Sequence, residues 1–205
     1  MTVAPLLSRA DRFQALEALE VSEGLWQLAS AEGSAGSIVF AEPTLIPEIL
    51  QTEAYADVLL KQAESPPRAE RMLAVLKGRQ EALRLASTQI RLHFLGMTAL
   101  RNQVGSAEVM AGQLDGLIAT RDIIHIVPDE AGVWRSGTLA LLRDEQERLS
   151  GVYVGDPLSS SFYTDQIPLE YAETYVQSLE RASHSREDSM RIILREQQRL
   201  GLNVG

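Results

Sequence analysis

The sequence contains no cysteine, which excludes a disulfide framework, a thiolate nucleophile and a cysteine-based zinc site. Residues 1–10 also lack the charged region followed by a long apolar stretch that is typical of a signal peptide. No apolar run approaches the ~18 residues that a membrane-spanning helix needs. These absences predict a cytoplasmic protein that does not enter a membrane.

Basic residues are scarce relative to acidic ones. The chain has 19 Lys and Arg against 28 Asp and Glu, which gives a net charge of −9 over 205 residues. A DNA-binding face needs clustered Lys and Arg to replace the counterions of the phosphates. We therefore expect no direct binding of nucleic acid.

Familiar catalytic and cofactor motifs are missing as well. The sequence has no Gly-x-Ser-x-Gly elbow, no glycine loop for phosphates, no His-Glu-x-x-His and no dinucleotide fingerprint. We therefore expect no cofactor and no metal ion.

Apolar residues make up 45% of the chain, enough for a normal core, and their spacing predicts a helix-rich α+β single domain. Helices are predicted at 11–31, 49–62, 66–87 and 106–121, and again from Pro168 and after Ser185. Strands are predicted at 37–40, 89–95, 122–127, 138–142 and 152–154, and the last three are expected to form a small antiparallel meander. We divide the chain into an N-terminal helical segment, 1–36, and a binding domain, 37–205.

Two histidines are candidates for chemistry. His93 and His125 lie on the less apolar faces of two predicted strands, and they would be neighbours if those strands pair. We interpret both as partly exposed strand residues. The alternative is a role in proton transfer or ligand binding, since a histidine titrates near neutrality.

Three further polar stretches stand out in the sequence. Trp134-Arg135 follows a predicted turn, where an aromatic beside a guanidinium suits either a recognition surface or a loop plug. Arg79-Gln80 lies on a long predicted helix, and we interpret the pair as a solvated or salt-bridged face. The serine run 159–161 has no base nearby in sequence and is expected to be a loop.

Several stretches stand in the order that they have in a known domain. These are FAEPTLIPEILQTEAYADVLL at 40–60, ALRNQVG at 99–105, VMAGQLDGL at 109–117, IHIVPDEAG at 124–132 and VYV at 152–154. Because these stretches occur in the same order, the chain resembles the C-terminal domain of Streptomyces helix-turn-helix regulators of the xenobiotic-response-element type. That domain of unknown function is described as antitoxin-like and occurs in sporulation regulators of the WhiJ kind.

The resemblance implies a domain that mediates regulation by sensing a ligand or by engaging a small partner protein. In such regulators a helix-turn-helix precedes this domain, and that unit needs three or more helices. Too few residues precede the matching region for it. We therefore expect the DNA-binding headpiece to be missing, either naturally or because the chain is a shortened form.

The chain departs from the family pattern at three places. It has Gly96-Met97 where an acidic pair is usual, Gly155 where a Glu is usual, and Pro47-Glu48 where Pro-Gly is usual. If the former acidic positions line one cavity, that cavity has lost charge and gained apolar wall. Because unpaired buried carboxylates are costly, their joint loss suggests a changed ligand. The alternative is sequence drift.

Three functions follow from these observations. The first is a stand-alone, regulator-derived binding domain for a small apolar molecule or a small partner protein. Its candidate ligand-binding residues are Met97, Trp134, Arg135, Leu139, Tyr153 and Gly155. The second is an enzyme of secondary metabolism that cyclises, rearranges or dehydrates an apolar natural product by holding a reactive conformation. Its candidate catalytic residues are His93, His125 and Arg135. The third is a dimerisation domain that forms a homodimer without a ligand.

Overall fold

The computed structural model describes residues 22–85, 90–135, 137–155 and 159–201, so part of the first predicted helix lies outside the described residues. Within these ranges the helices are α1 Glu23–Glu32, α2 Glu53–Ala63, α3 Pro66–Leu85, α4 Met97–Arg101, α5 Ala107–Ala119, α6 Gln166–Ala182 and α7 Arg186–Gly201. The strands are β1 Ser37–Glu42, β2 Ile90–Gly96, β3 Ile123–Val127, β4 Thr138–Arg143, β5 Leu149–Gly155 and β6 Ser160–Tyr163. Two short 3-10 turns are Glu48–Leu50 and Asp129–Ala131.

The strands form one mixed sheet in the order β3-β2-β1-β4-β5-β6. Strands β1, β2 and β3 run parallel, and their connections carry the helices that a parallel crossover requires. Strands β4, β5 and β6 continue from β1 as an antiparallel meander. The α+β prediction is confirmed.

Two details of the predicted sheet were wrong. Strand β3 does not belong to the meander, because the crossover through α4 and α5 places it parallel to β2 at the far edge of the sheet. The serine run expected to be a loop instead begins β6, with Ser160 and Ser161 paired to Gly155 and Val154. The serine run is extended because its backbone pairs with β5. The local residue types do not predict this pairing.

The core has two sides, one on each face of the sheet. Helix α6 covers one face, where Leu169, Val176 and Leu179 pack against strand residues that include Phe94 and Leu141. The opposite face carries α1 and α3 over β1 and β4, and α5 and α7 over β2 and β3. Helix α1 therefore shares the core of the domain that follows it.

Local signals explain where several helices begin. Ser22, Thr52 and Ser106 each accept a hydrogen bond from the backbone N–H three residues later, as helix caps do. Ser185 accepts the N–H of Asp188 at 3.1 Å before α7. The caps predicted at Ser106 and Ser185 are thus confirmed.

Gly96 lies where the chain after β1 crosses the end of β2. A Cβ at this position would overlap the carbonyl oxygen of Pro43. An acidic side chain therefore cannot stand here unless the backbone moves, which accounts for glycine at this departure from the family pattern.

We expect Gly96→Ala to lower the free energy of unfolding by about 2 kcal/mol, because the methyl group must displace the Pro43 backbone. Urea unfolding measures this change. Gly78→Ala is the matched control: Gly78 lies in α3, and a Cβ added there would have nothing within 4 Å of it. Alanine at this position should stabilise the helix by up to about 1 kcal/mol. Equal losses in both variants would contradict the steric argument.

Candidate functional site

A cavity lies beside the carboxyl end of β1. In the strand order, β2 and β3 lie on one side of β1, and β4 lies on its other side. In open sheets with parallel strands, ligands bind outside the carboxyl ends of the strands where the strand order reverses. The cavity lies at this point of the fold, between the sheet and helices α1 and α3.

The cavity has a volume of about 200 Å³ and mostly apolar walls. The apolar lining comes from α1, β1, the loop after β1, α2, α3 and β4: Leu25, Leu28, Phe40, Leu45, Ile46, Ile49, Leu59, Leu60, Met72, Val75, Leu76 and Ala140. A small set of polar side chains completes it: Glu42, Glu48, Gln51, Arg79, Thr138 and Tyr153. An apolar enclosure with few polar groups is the usual composition of a small-molecule site.

The 3-10 turn that lines the cavity after β1 is fixed by two glutamines from distant helices. The Gln80 amide donates to the carbonyl oxygens of Glu48 and Gln51, at 3.0 and 2.8 Å. The Gln113 amide donates to the carbonyl oxygen of Leu50 at 2.8 Å. This part of the lining is therefore positioned by side chains of α3 and α5.

Glu42 is the buried acid of the cavity. It ends β1, is 8% exposed, and accepts a hydrogen bond from the Thr138 hydroxyl. Burial raises the pKa of this carboxyl to about 7; the Thr138 hydrogen bond opposes the rise and the charge of Glu48 adds to it. The group therefore exchanges its proton near neutral pH.

Arg79 joins three elements around the cavity. Its guanidinium donates to both carboxylate oxygens of Glu32 in α1, at 3.1 and 2.7 Å, and to Glu48 in the 3-10 turn at 2.5 Å. Burial acts to lower the Arg79 pKa, but the two carboxylates outweigh it and the pKa is raised. The sequence-based prediction was a solvated or salt-bridged helix face. Arg79 is salt-bridged, as one of these alternatives predicted, but it is buried and not solvated.

The predicted ligand-binding residues fall in different places. Tyr153 lines the cavity, where burial raises the pKa of its hydroxyl. Arg135 and Leu139 line a separate groove of about 270 Å³ between the meander and α6. Trp134 packs against the cluster under α6. The structure does not bring these four residues into one site.

Met97 and Gly155 do not share a cavity, so that expectation was wrong. Met97 begins α4 and packs half-buried with α5 and the loop after β1. Gly155 ends β5, where a Cβ would lie 2.6 Å from the Tyr153 hydroxyl oxygen. The missing side chain at Gly155 therefore leaves room for a ring that lines the cavity, whereas Met97 belongs to the core.

The two strand histidines lie on opposite faces of the sheet, although their strands do pair. The His93 ring is fully buried, with Nε2 2.9 Å from Asp122 and the ring stacked on Phe40. Burial lowers the His93 pKa against the opposing effect of Asp122. His125 Nδ1 lies 2.8 Å from the carbonyl oxygen of His184. None of the catalytic candidates, including Arg135, lines the cavity.

The described residues form neither a cluster of metal ligands nor a membrane-spanning helix. Among the described residues, no three His, Asp or Glu side chains come together in a way that could hold a metal ion. No helix in the described ranges is both long and apolar enough to cross a bilayer.

Sequence reasoning missed Glu42, although a signal was present. Glu42 directly follows the apolar run 38–41, and a charged residue at the carboxyl end of a central strand is a candidate ligand group. The predicted strand stopped at Phe40 and so left it out. Thr138 carried no such signal, because its meeting with Glu42 depends on the pairing of β1 with β4.

The fold and the cavity define an α+β domain with a partly open, mostly apolar site at the carboxyl end of a central strand of a mixed sheet. Residues 25–195 match the family described as "Domain of unknown function (DUF5753)", and the chain belongs to this family. No curated protein and no solved structure matches the chain.

Proposed function

We propose that the chain is a binding domain for a small apolar molecule, which it holds in the cavity at the carboxyl end of β1. The observation that carries this proposal is the mostly apolar cavity of about 200 Å³ with a few polar groups in its lining. A cavity of about 150 Å³ can hold benzene, so the volume suits a molecule with one ring or a short branched chain. The proposal includes the regulator-derived origin that the sequence resemblance implies.

The test is to fill the cavity from α3. Val75 lines the cavity, and the neighbouring Ala74 is exposed on the same helix. We expect Val75→Phe to weaken the binding of one-ring probes by about tenfold or more, because the new ring occupies their volume. Ala74→Phe should leave binding unchanged. Calorimetric titration with toluene, benzyl alcohol and benzylamine measures the affinities.

Two outcomes would contradict the proposal. If no probe binds the unmodified chain, or if Val75→Phe binds the probes as well as Ala74→Phe does, the cavity is not the binding site. A small partner protein, the other ligand that the resemblance implies, would then be the better candidate. Titration with that protein would test it directly.

A second candidate function is catalysis, and the pKa of Glu42 favours it. A carboxyl that titrates at about 7 inside apolar walls can give or take a proton at neutral pH. Such a group suits a cyclisation, rearrangement or dehydration of an apolar natural product. Recovery of the bound molecule chemically unchanged after incubation would contradict catalysis on that molecule while leaving binding intact.

A further inference from the structure

We propose that the molecule held in the cavity carries a basic nitrogen, which the Glu42 carboxylate binds as an ammonium ion. This inference rests on the proposed binding function and adds the chemical class of the ligand.

The hydrogen bonding of the Glu42 carboxyl favours an amine ligand. Glu42 is more than nine-tenths buried and lines the cavity, and Thr138 is its one hydrogen-bond partner among the described residues. A carboxylate has about four acceptor positions on its two oxygens. Buried acceptors are normally satisfied, so an occupant with N–H donors would complete the hydrogen bonding of this group.

The charge balance around the cavity also favours a cationic ligand. Arg79 is the one cationic side chain that lines it within the described residues. The guanidinium of Arg79 is already engaged by Glu32 and Glu48. With Glu42 ionised, the negative charges of Glu32, Glu48 and Glu42 outnumber the single positive charge of Arg79. Electrostatic complementarity favours a cationic occupant and disfavours an anionic one.

The two acidic groups that line the cavity differ in their exposure to water. The Glu48 side chain is 55% exposed, so water solvates part of its charge. Glu42 lies deeper, between the apolar side chains of β1 and β4. A charge-assisted hydrogen bond is stronger where water is excluded. The ammonium group is therefore assigned to Glu42, with the hydrocarbon part against the apolar walls.

The tyrosines and the arginine near Glu42 do not titrate around neutral pH. Burial raises the pKa values of Tyr55 in α2, Tyr153 in β5 and Tyr175 in α6, so these hydroxyls stay protonated. Arg79 in α3 stays charged, because its pKa is raised. A change in amine affinity between mildly acidic and mildly basic pH therefore reports Glu42. The groups that face it from the surrounding elements are Glu48, Arg79, Tyr55, Tyr153 and Tyr175.

The experiment compares three probes of similar shape by calorimetric titration: benzylamine, benzyl alcohol and toluene. At about pH 8 we expect Glu42→Gln to weaken benzylamine binding by about tenfold or more, and to change toluene binding by less than about twofold. Lowering the pH to about 5.5 should weaken benzylamine binding to the unmodified chain in the same way, because Glu42 is then protonated. Glu180→Gln, an exposed site on α6, is the control and should change neither probe.

The outcomes separate this inference from the proposed function. If toluene binds and benzylamine does not, or if Glu42→Gln weakens benzyl alcohol as much as benzylamine, the amine assignment is wrong and the binding function stands. If none of the three probes binds, the proposed function itself fails. Benzylamine binding that is the same in Glu42→Gln and the unmodified chain would also overturn the assignment.

Discussion

Replacing Arg79 by methionine is expected to lower the free energy of unfolding by about 4 kcal/mol, because it removes the counter-charge of a buried carboxylate. The Glu32 side chain is 3% exposed and receives two hydrogen bonds from the guanidinium. Methionine keeps an apolar stem of similar length, so the loss reports the ion pair more than the packing. Urea unfolding at neutral pH measures it.

Arg84→Met is the matched control on the same helix. Arg84 pairs with Glu81 one turn away, and both side chains are largely exposed, so its loss should have little effect. Adding Glu32→Gln to Arg79→Met should recover part of the stability, because the remaining buried charge is removed. Equal effects of Arg79→Met and Arg84→Met would show that the buried pair does not hold α1 to α3.

The unmodified chain is expected to lose stability as the pH rises through about 7, and Glu42→Gln should not show this loss. The pKa of Glu42 is raised from 4.5 to about 7 in the folded state, so between these values the folded state binds more protons than the unfolded state. The protonated group therefore stabilises the fold fully below the unfolded pKa, and this contribution is lost as the pH rises through about 7. The shift corresponds to about 3 kcal/mol.

The measurement is the free energy of unfolding of Glu42→Gln and of the unmodified chain from about pH 4 to about pH 8. The difference between them should grow in favour of the variant by about 3 kcal/mol across this range. Glu180→Gln, at an exposed site, should run parallel to the unmodified chain. A constant difference between Glu42→Gln and the unmodified chain would contradict the raised pKa.

Local patterns in the sequence were sufficient for most of the elements. The period of two at Ile90, Leu92 and Phe94 predicted β2, and proline at the start of a helical pattern predicted α3. Both signals arise from residues close together in the chain. The order of the strands and the existence of β6 depend on pairing between distant segments, which no local pattern encodes.

The site was less predictable than the fold for the same reason. Glu42, Thr138 and Arg79 come from three elements, and the nature of the site depends on which of them meet. Arg79 lies on a helix in which polar and apolar residues are mixed. The sequence of such a helix does not distinguish a buried guanidinium from a solvated one. The glycine departures had different physical origins: Gly96 avoids the Pro43 backbone, and Gly155 accommodates the Tyr153 ring.

Helix α1 contacts both the cavity and the outer strand of the meander. It supplies Leu25 and Leu28 to the cavity wall, and its cap residue Ser22 lies 2.5 Å, oxygen to oxygen, from Ser160 at the start of the outermost strand. A molecule large enough to push α1 outward would therefore also strain the contact between Ser22 and the edge strand β6.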